Sequence, residues 1–391
     1  MNKQLIGAAI AAAVAVPSAA MAEAILYGKL NVSLDYAEVT NAVALPQFDA
    51  NGNQISDGED FTGWGVNGDG GFMPGGNRDN RFGVKGSEDL GNGLKAIYQF
   101  EVILNLSAAD NNFVSSTSGN DNFIVRTSFA GLAGSFGTVL MGRHDTPMKV
   151  STGPLDLFDE TVADYAYSVG FEDLRVDNAV AYISPSFSGF QFMGALVAPG
   201  GATTGFGANA NSDEIGAYSL AAIYKNGPFY GSLAYESISN ESYMNTQVSD
   251  AGELNPAYID DDYNKWRASF GILDWNGFTF AAIYEGRENN LDNNTNYIQD
   301  MALWQIQAGY AFGNNMVKAM YGAVDRDIDF DNSNTIEEFD ADRNTWAVAF
   351  DHNLSKRTKA YVLYSSVEDD NVDIVRGAEW SNFSIGMMHK F

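Results

Sequence analysis

Residues 80–106 read NRFGVKGSEDLGNGLKAIYQFEVILNL, and their alternation decides the fold. Leu94, Ala96, Tyr98, Phe100, Val102, Leu104 and Leu106 share one face of an extended chain. Lys95, Gln99, Glu101 and Asn105 share the other. The preceding arm repeats the pattern, with Phe82, Val84 and Gly86 against Arg81 and Lys85. Glu88 to Asn92 is turn chemistry, so the stretch reads as a β-hairpin with one apolar and one polar face. A soluble sandwich produces such a pattern too. The second arm, however, exceeds the usual soluble strand and fits a tilted membrane-spanning strand better.

The same period of two recurs to the end of the chain. It opens at 25–37, where Leu30, Val32, Leu34 and Tyr36 oppose Lys29, Asn31, Ser33 and Asp35. A Gly/Asn/Asp-rich loop, 38–79, leads to the hairpin. Alternating segments then pair across short turns: 123–130 with 136–143, 176–183 with 190–198, and 215–224 with 229–238. The pairs 263–273 with 278–286, 301–312 with 316–324, and 343–352 with 358–367 follow, and 379–391 closes the chain. About sixteen strands with short turns on one side and long polar loops on the other predict a closed transmembrane antiparallel β-barrel. Closure satisfies every backbone donor, which is what lets strands lie in lipid. Aromatics near strand ends (Tyr27, Tyr36, Trp266, Trp304, Tyr310, Trp346, Trp380) are expected to form interfacial girdles. The competing all-β reading, a large secreted protein such as a β-helix, lacks a short fixed repeat.

Composition agrees with an exported barrel. Lys3, the apolar run 5–16 and Ala20-Met21-Ala22 make residues 1–22 a secretory signal peptide, leaving 23–391 as one domain. No stretch after it reaches the length of apolar residues that a membrane-spanning helix needs. Lys and Arg number 22 against 50 Asp and Glu, a formal net charge of −28, which argues against a nucleic-acid partner. With no cysteine there is neither a disulfide framework nor thiol chemistry. The histidines, His144, His352 and His389, lie at no metal-ligand spacing, and no nucleophile elbow or phosphate loop is present. Catalysis is therefore not expected, although a dispersed Ser-His-acid set is invisible at this stage, and no cofactor is expected.

The stretches LYGKLNVSLDY, RFGVKGSEDLGNGLKAIYQFE, RTSFAGLAGSFGTVLMGR and LRVDNAVAYISPSFSGF, with the terminal Phe391, resemble the general diffusion porins of Gram-negative outer membranes. The likeness is strong over 25–192 and at the last strand, and weaker but in register between. It implies a sixteen-stranded, homotrimeric, water-filled pore whose third external loop folds inward. That places 144–174 as a constriction loop, with Asp156, Asp159, Glu160 and Asp164 as its carboxylates. The positions of Arg81, Arg126 and Arg175 match a basic cluster opposite, and Lys29, Lys85 and Arg143 are expected to line the pore. Phe391 is expected to end an assembly signal, although His389 departs from the hydrophobic pattern there.

The residues suggest one further possibility. Asp327, Asp329, Asp331 and Glu338 stand at the first, third, fifth and twelfth positions of an EF-hand-like calcium loop. Asn332 occupies the place that needs glycine, so an acidic solvated loop competes with it. The function expected is passive diffusion of small hydrophilic solutes and ions in the outer membrane of a Gram-negative bacterium, among lipid and lipopolysaccharide. A solute-specific porin and a non-conducting structural or adhesion barrel are the alternatives.

Overall fold

The computed structural model describes residues 23–42, 59–67, 78–104, 106, 123–198, 216–238, 263–288, 290–291, 297–331, 336–340, 342–370 and 378–391. The expected signal peptide lies outside them. In chain order the strands are β1 (Glu23–Ala42), β2 (Glu59–Asn67), β3 (Arg81–Gly91), β4 (Leu94–Leu104), β5 (Phe123–Gly134) and β6 (Gly137–Asp145). Then come β7 (Arg175–Ile183), β8 (Phe190–Val197), β9 (Ala217–Asn226), β10 (Phe229–Ile238), β11 (Tyr263–Trp275), β12 (Phe278–Glu288) and β13 (Asn290–Leu291). The last are β14 (Tyr297–Phe312), β15 (Asn315–Asp331), β16 (Ile336–Asp340), β17 (Arg343–Asn353), β18 (Thr358–Asp369) and β19 (Ala378–Lys390).

Sixteen of these form a closed antiparallel wall. β1 pairs with β3 on one side and with β19 on the other, so the ring has no edge to expose to lipid. β2, β13 and β16 are short additions to β1, β14 and β15 that alternation did not single out. The wall alternates as the sequence requires. On β17, Thr345, Ala347, Ala349 and Asp351 are buried inward, while Trp346, Val348 and Phe350 stand exposed outside. Leu220, Leu233, Ile306, Val317 and Ile385 extend that apolar outer belt. Short turns carry residues able to take positive φ. Asn276 (φ 54°) and Gly277 (φ 85°) join β11 to β12 in the primed-turn manner that matches strand twist.

Chain closure depends on the last residue. Phe391 exchanges two backbone hydrogen bonds with Gly28, at 3.2 and 3.1 Å, and its ring covers that glycine. A Cβ on Gly28 would lie 2.3 Å from the ring and 2.7 Å from the Arg81 carbonyl.

Two of the expected girdle aromatics face the lumen instead. Tyr27 lies on the Lys29 face of β1 and donates to Glu101 at 2.8 Å. Trp380 lies on the Asn382 face of β19 and packs on Ala37 and Val39. The proposed calcium loop is also different in its backbone. Asp327, Asp329 and Asp331 lie on β15 and Glu338 on β16, with Asp329 opposite Glu338 in an extended hairpin. Their side chains lie outside the described residues.

Candidate functional site

Residues 146–174 leave β6 at the external end and fold back inside the barrel. Thr146 caps the first helix, α1 (Pro147–Thr152), by accepting from the Lys149 amide, and Pro147 fits its first turn. A 3₁₀ turn, Gly153–Leu155, follows. Asp164 caps α2 (Tyr165–Ser168) by accepting from Ala166 N at 2.9 Å. The loop's apolar side chains are spent on the wall. Met148, Leu155, Tyr165, Val169 and Phe171 pack with Met193, Tyr230, Ile283 and Leu303. Phe158, Val162 and Ala163 pack with Met320, Ala347, Tyr361 and Leu363. Gly322 leaves room on the inner wall, since a Cβ there would lie 2.6 Å from Val169.

Polar contacts fix the rest. Tyr230 donates to the Ser151 carbonyl at 2.7 Å, Gln307 accepts from Leu157 N at 2.8 Å, and Lys318 donates to the Leu157 carbonyl at 2.6 Å. The tip residue Glu160 has a left-handed backbone (φ 58°). Its carboxylate meets Lys29 and Arg81, and its carbonyl accepts from Asn31 at 2.7 Å. The loop thus lines the inside of the wall from β8 round to β1. The opening that remains lies chiefly against β3, β5 and β6, with Arg287 of β12 reaching it from the other side.

That opening is a cavity of about 600 Å³. From the wall it is lined by Asp79, Arg81, Arg126, Asp145 and, across on β12, Arg287, and from the loop by Asp156, Asp159, Glu160, Asp164, Tyr165 and Tyr167 among others. Arg126 reaches it through a β-bulge. The β4–β5 register passes from Glu101↔Thr127 to Val102↔Val125, so Arg126 is the extra residue and turns inward beside Thr127. Its guanidinium meets Asp79 at 2.9 Å and Glu101 at 2.6 Å. Arg175 pairs with Asp145 at 2.7 Å, next to the cavity rather than among its lining residues.

The other expected lining residues are placed differently. Lys29 is 4% exposed beneath the loop tip. Lys85 stands exposed with its ammonium 4.9 Å from the Tyr27 ring centre. Arg143 pairs with Asp177 at 2.8 Å. None of the three lines the cavity.

The carboxylates of Asp156, Asp159 and Asp164 converge, with one oxygen of each within 4.8 Å of the others. Asp156 accepts from Phe158 N at 2.8 Å and Tyr165 N at 3.5 Å, and Asp164 accepts from Glu160 N at 2.8 Å. Both therefore serve the loop's own backbone. Burial pushes both carboxyls well above the ordinary range, and the neighbouring Asp159 charge pushes them further. Asp159 is the exposed member of the three.

A second charged group, not singled out from the sequence, anchors the loop's return. Lys265, Arg267 and Glu285 are 1%, 1% and 0% exposed on the inner faces of β11 and β12. Lys265 meets Glu236 at 2.9 Å and Glu172 at 3.2 Å, while Arg287 meets Glu285 and the Gly170 carbonyl, each at 2.6 Å. The signal was present in the sequence: Lys265 and Arg267 flank the outward Trp266 and so must face inward.

Opposed charges across a narrow wet gap orient water and favour small polar solutes, and the lining charges bias which ions enter. Nothing in this arrangement requires an energy source or a conformational cycle.

The comparisons agree with the geometry. A family model described as Gram-negative porin matches residues 8–372. Major outer membrane protein P.IB of Neisseria meningitidis serogroup B is 27% identical over 403 residues, covering 100% of both chains. Among solved structures, an anion-selective porin from Comamonas acidovorans superposes with a TM-score of 0.63 at 18% identity, covering 95% of this chain and 100% of that one. The trimer form of OmpT from Vibrio cholerae gives 0.58 at 14% identity, covering 94% and 99%. The full-length sequence match and the sixteen-stranded wall lead to one assignment: this chain belongs to the Gram-negative porin family.

Proposed function

We infer that this outer-membrane porin passes small hydrophilic solutes and ions by passive diffusion, with Arg81, Arg126, Asp159 and Glu160 bordering the narrowest part and a weak preference for cations. The observation that carries the channel is the inward loop itself, which narrows a polar lumen without filling it. Support for cation preference comes from the charge balance. Setting aside Asp156 and Asp164, which burial pushes toward the neutral form, the cavity lining holds six carboxylates against Arg81, Arg126, Lys149 and Arg287, and the chain carries a formal net charge of −28. Arg81 and Arg126 are matched by Glu160, Asp79 and Glu101, so they contribute little net positive field. The anion selectivity of the Comamonas porin is accordingly not carried over to this chain.

A homotrimer in outer-membrane lipid and lipopolysaccharide is the assembly we propose. The apolar outer belt and the trimer form described for OmpT support it. Reversal potentials of single channels across a potassium chloride gradient test the charge preference. The wild type should reverse on the cation side, less so at high salt, where charges more than about 3 Å apart are screened at 1 M. Asp159→Asn should move the potential toward anions, and Asp156→Asn should move it less. Anion preference in the wild type would overturn the charge assignment.

A further inference from the structure

We propose that Arg267 is the positioning residue that sets the width of the pore, by tying both arms of the inward loop to one point of the wall. The proposal rests on the channel reading above. The geometry is that of a clamp rather than a single ion pair. The Arg267 Nη1 donates to Thr152 Oγ1 at 2.8 Å on the loop's outgoing arm and to Asp173 Oδ1 at 2.7 Å on its returning arm. Its Nη2 donates to the Glu172 carbonyl at 3.2 Å and meets Glu285 Oε2 at 2.5 Å. The Nε donates to the same Glu285 oxygen at 2.6 Å.

Four hydrogen bonds and the ion pair to Glu285 thereby surround the guanidinium, and its plane holds three elements in fixed relation. The carbon of the guanidinium also lies 5.3 Å from the Phe171 ring centre and 5.8 Å from that of Tyr165, one ring on each side of the loop's turn. A lysine offers three donors on one nitrogen in place of five on a planar fork, so it does not reproduce the spread that spans Glu285 and both arms of the loop.

The partners are unequal, which says what moves when the clamp is lost. Glu285 retains Arg287 at 2.6 Å. Glu172 retains Lys265 at 3.2 Å and Tyr263 at 2.8 Å. Asp173 has Arg267 as its salt-bridge partner and otherwise the Tyr165 hydroxyl. Without Arg267, Asp173 keeps only the more distant charge of Lys149 and is left beside Glu285, the other carboxylate that Arg267 held, so the returning arm swings away from the wall. Glu172 and Asp173 line the cavity, so that motion changes the opening directly.

The test compares Arg267→Met, Arg267→Lys, Asp173→Asn and the Met/Asn double variant with the wild type in planar bilayers. The readouts are single-channel conductance and the size at which neutral polyethylene glycols stop entering the pore. The polymer measures width independently of charge. Heat-modifiability on gels reports assembly. Because lining geometry governs flux, each single variant should change conductance by about twofold and shift the polymer cut-off. Lysine should not rescue, and the double variant should go no further than Arg267→Met alone. If assembled variants keep the wild-type cut-off, or the two changes add in full, Arg267 does not set the width. If Arg267→Met fails to assemble, Asp173→Asn decides alone, since it leaves the Arg267–Glu285 pair in place. An unchanged polymer cut-off there refutes the proposal. A wild type without conductance would instead refute the channel reading.

Discussion

Replacing Phe158 with alanine should loosen the constriction while leaving the barrel intact. Phe158 is fully buried against Met320, Ala347, Ala349, Tyr361 and Leu363, and the Lys318 ammonium lies 4.8 Å from its ring centre. A Phe→Ala change in such a site costs about 3–5 kcal/mol. The lost cation–π contact accounts for about 0.5–2 kcal/mol of a similar desolvated pair. The wall is held by its own backbone ladder, so the loss falls on the docking of the loop. At about 1.4 kcal/mol per tenfold, the released population of the loop should rise by about two to three and a half orders of magnitude. Single-channel records should then show excursions to a higher conductance level, and protease should nick the loop within 146–174 in detergent. Phe158→Leu, which keeps most of the volume, should show far less of both. An assembled alanine variant with wild-type conductance levels and an uncut loop would refute the claim that apolar packing holds the constriction in place.

Further outcomes follow from other parts of the structure. Deleting Phe391 removes two backbone bonds and the cover over Gly28, and Gly28→Ala sets a Cβ 2.3 Å from that ring. The alanine should cost about 1–3 kcal/mol as overpacking, and both should lower the surface-assembled fraction in membrane fractions. The loop should also respond to pH in two directions. Asp156 and Asp164 are pushed up, so the stability they contribute is complete below the ordinary carboxylate range and is lost as pH rises through their raised values. Burial would push Asp173 up too, but Arg267 and Lys149 outweigh it and hold it low. Its contribution is present above the ordinary range and is lost as pH falls through the depressed value. Protease accessibility of the loop should accordingly be lowest at intermediate pH, and Asp164→Asn should flatten the alkaline limb.

The wall was legible because lipid outside and water inside impose one rule on every strand. Its failures are local and physical. Alternation carried through β5 from Phe129 and Thr127 would turn Arg126 to lipid, and only the bulge returns it to the lumen. Tyr27 and Trp380 are aromatic near strand ends, yet their parity with Lys29 and Asn382 puts them inside. The loop's path was not legible at all from periodicity. Leu155, Phe158, Val162 and Val169 even fall at helical spacing, yet 156–164 is not helical, because these side chains pack against separate wall strands rather than along one helix face. Asp156 borders the cavity, and what the sequence did not show is that it also holds the loop's amides.

The most direct measurement is single-channel conductance of the purified wild-type protein as a function of salt concentration. A water-filled, passively conducting lumen predicts discrete ohmic steps whose size grows in proportion to bulk conductivity at moderate and high salt. A conductance that saturates at low salt would mark a binding site that solutes must occupy and leave. The absence of steps altogether, from protein shown to be assembled, would contradict the open pore.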